Sequence, residues 1–166
     1  MKEKKVYCVL IGLTYDEVMD TPLILLRESR NGKIFSLPIG TFEASAMVSA
    51  ADHLVSSVPQ AYEIMDRLFR RHGFAIKRLE LQGNPLLGYA CKLIYKKGFA
   101  THTIDICPSG GIALASQLRV PVFAEPSLVE EADRADAYFS SPEHKNEHIL
   151  YLDLPEQRNR ERMAGY

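Results

Sequence analysis

The feature that most constrains this chain is a change of hydrophobic period along it. Apolar residues come first in short strand-like runs, then at helical spacing, then again in strand-like runs. Residues 5–13 and 23–26 are rich in Val, Ile and Leu and read as strands, with a polar interruption at 14–20 between them. Asn31-Gly32 follows, a pair in which both residues tolerate positive φ, so residues 34–39 should return antiparallel as a third strand. At Gly40-Thr41 the period switches. Phe42, Ala46, Met47, Ala50 and Leu54 recur at helical spacing, and Glu43 sits in the first turn, where the helix dipole favours an anion. A second helix is expected from Pro59, with Ile64, Leu68 and Phe69 apolar and Gly73 as its stop, so the two make a helical hairpin.

Three more strands are expected at 74–81, 86–95 and 99–106, divided by Gly83-Asn84-Pro85 and Lys96-Lys97-Gly98. Ile112, Leu114, Ala115 and Leu118 then mark a short helix, 121–124 a short strand, and 126–132 a last helical turn or two. Strands in runs, rather than in strict alternation with helices, predict an α+β fold. It should be a mixed, mainly antiparallel sheet packed against a helical hairpin and a short helix. Residues 1–133 form the expected domain and 134–166 a charged tail. Within the tail, 149–154 is one apolar segment too short to fold alone. It needs a surface to dock on, that of the domain or of a second subunit, and the latter suggests a homo-oligomer.

A formal net charge of −1 gives the whole molecule no attraction to a polyanion, so any nucleic-acid contact must come from a local basic surface. Arg67, Arg70, Arg71, Lys77 and Arg78 form one such group around a helix end, and Lys92, Lys96 and Lys97 another on a strand. The same residues also read as solvated faces and as cations favoured at a helix C-terminus. Cys8, Cys91 and Cys107 are odd in number and far apart, which fits free thiols in a reducing compartment. The apolar stretch at 6–13 is too short for a signal peptide or membrane span, so the expectation is a cytoplasmic protein with no membrane partner.

The sharpest local feature is the stretch 104–111, Ile-Asp-Ile-Cys-Pro-Ser-Gly-Gly, between a strand and an apolar helix. Ser109 is a natural N-cap there, and Gly110 and Gly111 would leave backbone N–H groups bare for a phosphate. No lysine follows as in a P-loop, and a tight turn with a helix cap explains the same residues. Phosphodiester hydrolysis calls for carboxylates that hold divalent metal or position water, and Glu43, Glu63 and Asp105 are the candidates. Magnesium or manganese would be the metal. For Glu43 and Glu63 the competing explanation is helix N-terminal electrostatics; for Asp105 it is loop capping or a surface ion pair. His144 and His148, four apart but not in an H-E-x-x-H setting, are poor metal ligands.

Three stretches carry a resemblance. They are Ile39-Gly40-Thr41-Phe42-Glu43-Ala44, then 59–65 (Pro-Gln-Ala-Tyr-Glu-Ile-Met), and above all 104–115 followed by Val120-Pro121-Val122-Phe123. In this order and spacing, over about residues 5–133, the chain resembles the bifunctional nuclease domain family. The resemblance implies a mixed α+β fold and action on both DNA and RNA. The chain departs from the pattern at Tyr62-Glu63, where the family tends to carry His-Asp, at Cys107, where it carries Arg, and at Gly110-Gly111, where it carries Asp-Ala. The missing groups suit acid/base work, phosphate clamping and metal binding. Two readings follow. One is a nuclease-family enzyme of weakened activity using Glu43, Glu63, Asp105 and the Ser109, Gly110, Gly111 segment. The other is a non-catalytic phosphate-ligand or protein-binding module on the same scaffold.

Overall fold

The computed structural model describes residues 4–51, 61–84, 88–130 and 150–151. Along the chain run β1 (Val6–Asp16), β2 (Thr21–Glu28), β3 (Ile34–Pro38), α1 (Thr41–Ala51), α2 (Ala61–Arg71), β4 (Phe74–Asn84), β5 (Gly88–Lys97) and β6 (Ala100–Ile106). They are followed by α3 (Pro108–Leu118), β7 (Val122–Ala124), a helical turn at 126–130 and β8 (Leu150–Tyr151). The strands form one sheet in the order β3-β2-β1-β7-β4-β5-β6, with β8 paired to β1. Every pairing is antiparallel except β4 with β7. The fold is the expected mixed, mainly antiparallel α+β arrangement.

Two local expectations need correction. The stretch 14–20 does not interrupt the first strand where the apolar run ends. Thr14, Tyr15 and Asp16 stay paired with Leu23, Pro22 and Thr21, because a ladder is held by backbone groups whatever the side chains. The turn itself is narrower, with Asp16 Oδ1 accepting the N–H groups of Val18 and Met19 at 2.9 and 3.0 Å. At Asn31-Gly32 only Gly32 takes positive φ, 71°, so this is not a two-residue primed turn. A longer loop is closed by Glu28 N–H to the Lys33 carbonyl at 2.8 Å, and the buried Glu28 carboxylate accepts the N–H groups of Arg30 and Asn31 at 2.9 and 2.6 Å.

One face of the sheet carries the helices. α3 packs on β4 and β5, α2 on β4 and α3, and α1 on β2 and α3. The core between them holds Ile24, Leu26, Phe35, Leu37, Met47, Leu79, Leu81, Ile112 and Leu128, all buried. α2 is the most amphipathic helix and stops at Gly73, whose φ of 72° is costly for any side chain. β1, in the middle of the sheet, takes β7 on one side along 6–8 and β8 opposite Gly12 and Leu13. The tail's apolar segment therefore reaches the sheet through Leu150 and Tyr151, while the rest of it, the expected helix start at Pro59, and His144 and His148 lie outside the described residues. Among the described residues no helix is long and apolar enough to cross a membrane.

Candidate functional site at three helix starts

Residues 104–111 join β6 to α3 with almost no loop. Pro108 takes the first helical position, where its missing N–H costs nothing and its fixed φ suits the helix. The residue before a proline is driven out of the helical region, and Cys107, at φ −60° and ψ 133°, becomes the N-cap. Ser109 therefore lies inside the first turn and not at the cap expected for it. Gly111 lies deeper still: its N–H donates to the Cys107 carbonyl at 2.9 Å, and it is buried. A Cβ there would come within 2.8 Å of Ile106 Cδ1 and 2.9 Å of Cys91 Sγ. Gly111 is what lets α3 lie close on the sheet, and its backbone faces the core instead of a ligand.

The first-turn donors left without an intrahelical acceptor are the N–H groups of Ser109 and Gly110. Cys107 Sγ stands beside them, 3.3 Å from Ser109 Oγ. The sulfur makes no cap hydrogen bond, so the backbone groups act on it as nearby dipoles and not as formed bonds. Its pKa is lowered, first by the Ser109 hydroxyl and then by the Gly110 N–H, although partial burial and the charge of Glu43 oppose this.

Glu43 reaches the same place from α1. It is half-buried at the third helical position, and its carboxylate folds back over Gly40, where any side chain would collide with it. The carbonyl of Gly40 accepts the Ala44 N–H at 3.0 Å, so the carboxylate lies across the N-cap residue as in a capping box. Tyr62 arrives from α2, packed on the core; its phenol pKa is raised by burial, then by the negative charge of Glu43, then by Cys107. Glu43, Tyr62 and Cys107 are thus electrostatic neighbours at the starts of three helices. Gln117 Nε2, donating to the Ala46 carbonyl at 3.0 Å, ties α1 to α3 and holds this geometry.

The other two candidate carboxylates are placed differently. Ile106 turns toward α3, so the preceding Asp105 points to the opposite face of the sheet, in register with Lys92. Glu63 is exposed on α2 beside Tyr62. Among the described residues no group of three or more His, Cys, Asp or Glu side chains could hold a metal ion. The donor set of Glu43, Glu63 and Asp105 therefore does not fit a shared magnesium or manganese ion. Sequence reasoning had not taken Tyr62 and Cys107 as site residues. Their one signal was that both stand where this chain departs from the family pattern.

A family model described as bifunctional nuclease domain matches residues 24–136. The chain belongs to the bifunctional nuclease domain family. The match takes in α1, α2 and α3 whole, and so Glu43, Tyr62 and Cys107, while the central strand β1 precedes it. Two uncharacterized proteins of Mycobacterium tuberculosis, one from strain CDC 1551 / Oshkosh and one from strain ATCC 25618 / H37Rv, are similar to the chain. Each is 22% identical over 123 residues, covering 74% of this chain and 73% of the relative. Within the family, this member has gathered a carboxylate, a phenol and a thiol at the helix starts.

Proposed function

We propose that this chain is a nucleic-acid-binding member of the bifunctional nuclease domain family in which hydrolysis of DNA and RNA phosphodiester bonds is weakened. One observation carries the reading: Asp105 and Glu43 stand on opposite faces of the sheet, so the expected carboxylate set does not converge. A phosphate approaching α3 would find the N–H groups of Ser109 and Gly110, but it would share them with the Cys107 sulfur. A thiol whose pKa is lowered toward the thiolate stands there, where the family pattern has the cation of an arginine. Glu43 remains as a base for an attacking water, and Tyr62 as a proton donor whose raised pKa keeps it protonated at neutral pH.

The test is to put back the missing groups. Gly110 has open space around its Cα and no positive φ, and a carboxylate at the third helical position is favoured by the dipole, so Gly110→Asp should fold. The double variant Cys107→Arg with Gly110→Asp is compared with wild type on single-stranded DNA and RNA, with and without magnesium or manganese. A regained phosphate clamp worth about 1.5–3 kcal/mol predicts a rate gain of about tenfold or more. Glu43→Gln should lower whatever cleavage exists, and Asp105→Asn should lower it less. Rapid cleavage by wild type that the double variant does not improve would refute weakened chemistry. If neither protein cleaves but wild type binds, the chain is a binding module only.

A further inference from the structure

A row of aromatic rings crosses the helix face of the sheet at the end away from the three helix starts. Phe69 of α2 meets Phe74 edge-on at 6.2 Å, Phe74 lies 5.8 Å from Tyr95, and Tyr95 stacks on His102 at 5.2 Å with 23° between planes. Lys97 Nζ sits 4.9 Å from the Phe74 ring centroid. The row runs outward from half-buried to exposed. Phe69, Phe74 and Tyr95 are half-buried, whereas His102 is exposed on β6, the last strand of the sheet, with Ile104 and the exposed Phe99 nearby in sequence. An imidazole laid flat on a tyrosine at a sheet edge leaves its other face for a further planar ring.

The segments that carry this row have charge of one sign. Residues 67–78 and 92–104, which supply α2's end, β4's start, most of β5 and most of β6, contain no acidic residue, yet carry five and three Lys or Arg respectively. Among the described residues, Arg70 is paired there with Asp66 at 2.8 Å and Arg78 with Glu80 at 2.6 Å, which leaves Arg67, Arg71 and Lys77 and the three lysines of β5 without an ion pair to another described residue. A second copy of this chain docking on the edge would bring the same cations against these, which opposes self-pairing. A flexible polyanion carrying flat rings meets both features at once, since bases stack on aromatic side chains while phosphates lie against lysines. Duplex DNA offers the charge but keeps its rings stacked inside.

We propose that the Tyr95–His102 stack, with Lys97 beside it, is a base-stacking site for single-stranded nucleic acid at the β6 edge. From His102 to Cys107 the chain advances by about 17 Å, two or three nucleotides of extended strand, so a strand held here and laid along β6 arrives at the first turn of α3. The site is separate from the chemistry proposed at the helix starts. It requires binding whether or not the bound strand is cut, so each reading can fail alone.

The test measures anisotropy of a labelled oligothymidylate with the full chain, the strand being checked for intact length on a denaturing gel. Competitors are a duplex of equal length and an abasic strand of equal charge. Wild type should prefer the single strand to both. His102→Ala, a change of an exposed side chain, should weaken binding by about fivefold to a hundredfold, the range of losing one stacked base. His102→Phe should restore most of it, because stacking and not charge is retained. Lys97→Gln should weaken single-strand binding and reduce its salt slope by about one. Equal affinity for the abasic strand, made with unaltered protein, would overturn the proposal, as would His102→Ala binding like wild type. Dimers in light scattering that Ile104→Lys dissociates, without oligonucleotide binding, would assign the edge to a second copy and also overturn it.

Discussion

Replacing Gly111 by alanine should destabilise the protein even though alanine is the better helix former. Taken alone, the substitution gains about 1 kcal/mol of helix propensity. Against that, the new methyl would lie 2.8 Å from Ile106 Cδ1, 2.9 Å from Cys91 Sγ and 3.1 Å from Leu79 Cδ1. Ile106 is half-buried and its chain end can turn aside. Cys91 and Leu79 are fully buried beneath α3, so moving either disturbs the packed core. Overpacking of this kind costs about 1–3 kcal/mol, so the net loss should reach up to about 2 kcal/mol, or a fall of up to about 8 °C in melting temperature. Gly110, one residue earlier with open space around it, supplies the control: Gly110→Ala should be neutral or stabilising by up to about 1 kcal/mol. Urea denaturation followed by far-ultraviolet circular dichroism suits the comparison, because the chain has no tryptophan to report unfolding by fluorescence. Cys91→Ala removes one of the blocking atoms, so the Gly111→Ala and Cys91→Ala double variant should lose less than the sum of the single losses, by about 0.5–1 kcal/mol. A Gly111→Ala protein at least as stable as wild type, with additive behaviour in the double variant, would refute the close-approach argument.

Glu28→Ala should cost about 2–4 kcal/mol in thermal or urea unfolding, because it removes two charge-assisted hydrogen bonds that close the β2–β3 loop and leaves a gap at a buried position. Glu80 is pushed upward by burial, but its ion pairs with Lys5 and Arg78 outweigh this and leave its pKa lowered. A depressed carboxyl contributes stability that is full above its unfolded pKa, near 4.3, and fades as pH falls through the lower folded value. Glu80→Gln should therefore flatten the acid limb of the melting-temperature profile below about pH 4.5, and an unchanged limb would count against it. Alkylation at neutral pH should label Cys107 alone, since burial pushes the buried Cys8 and Cys91 thiols up to about 12 while the Cys107 pKa is lowered. In Ser109→Ala the pH at which Cys107 reacts should move upward; no movement would remove the hydroxyl as the cause.

What the sequence determined by itself is the set of elements and the class of fold. Hydrophobic period is a local property, so strands at 34–39, 74–81 and 99–106, the helix after Gly40 and the stop at Gly73 could be read where they stand. The family, too, was legible in three short stretches. Errors at this level came where backbone hydrogen bonding, which does not require apolar side chains, carried β1 on to Asp16 and where a proline moved the α3 cap from Ser109 to Cys107. Only the tertiary structure decided which residues meet. Glu43, Tyr62 and Cys107 are far apart in sequence and become neighbours because α1 and α2 both pack on α3. Asp105 looked like their companion, yet a strand turns adjacent side chains to opposite faces. Once Ile106 is committed to the core beneath Gly111, Asp105 must face away. The aromatic row from Phe69 to His102 was equally hidden, since its members come from one helix and three strands and touch only when β4, β5 and β6 are in register.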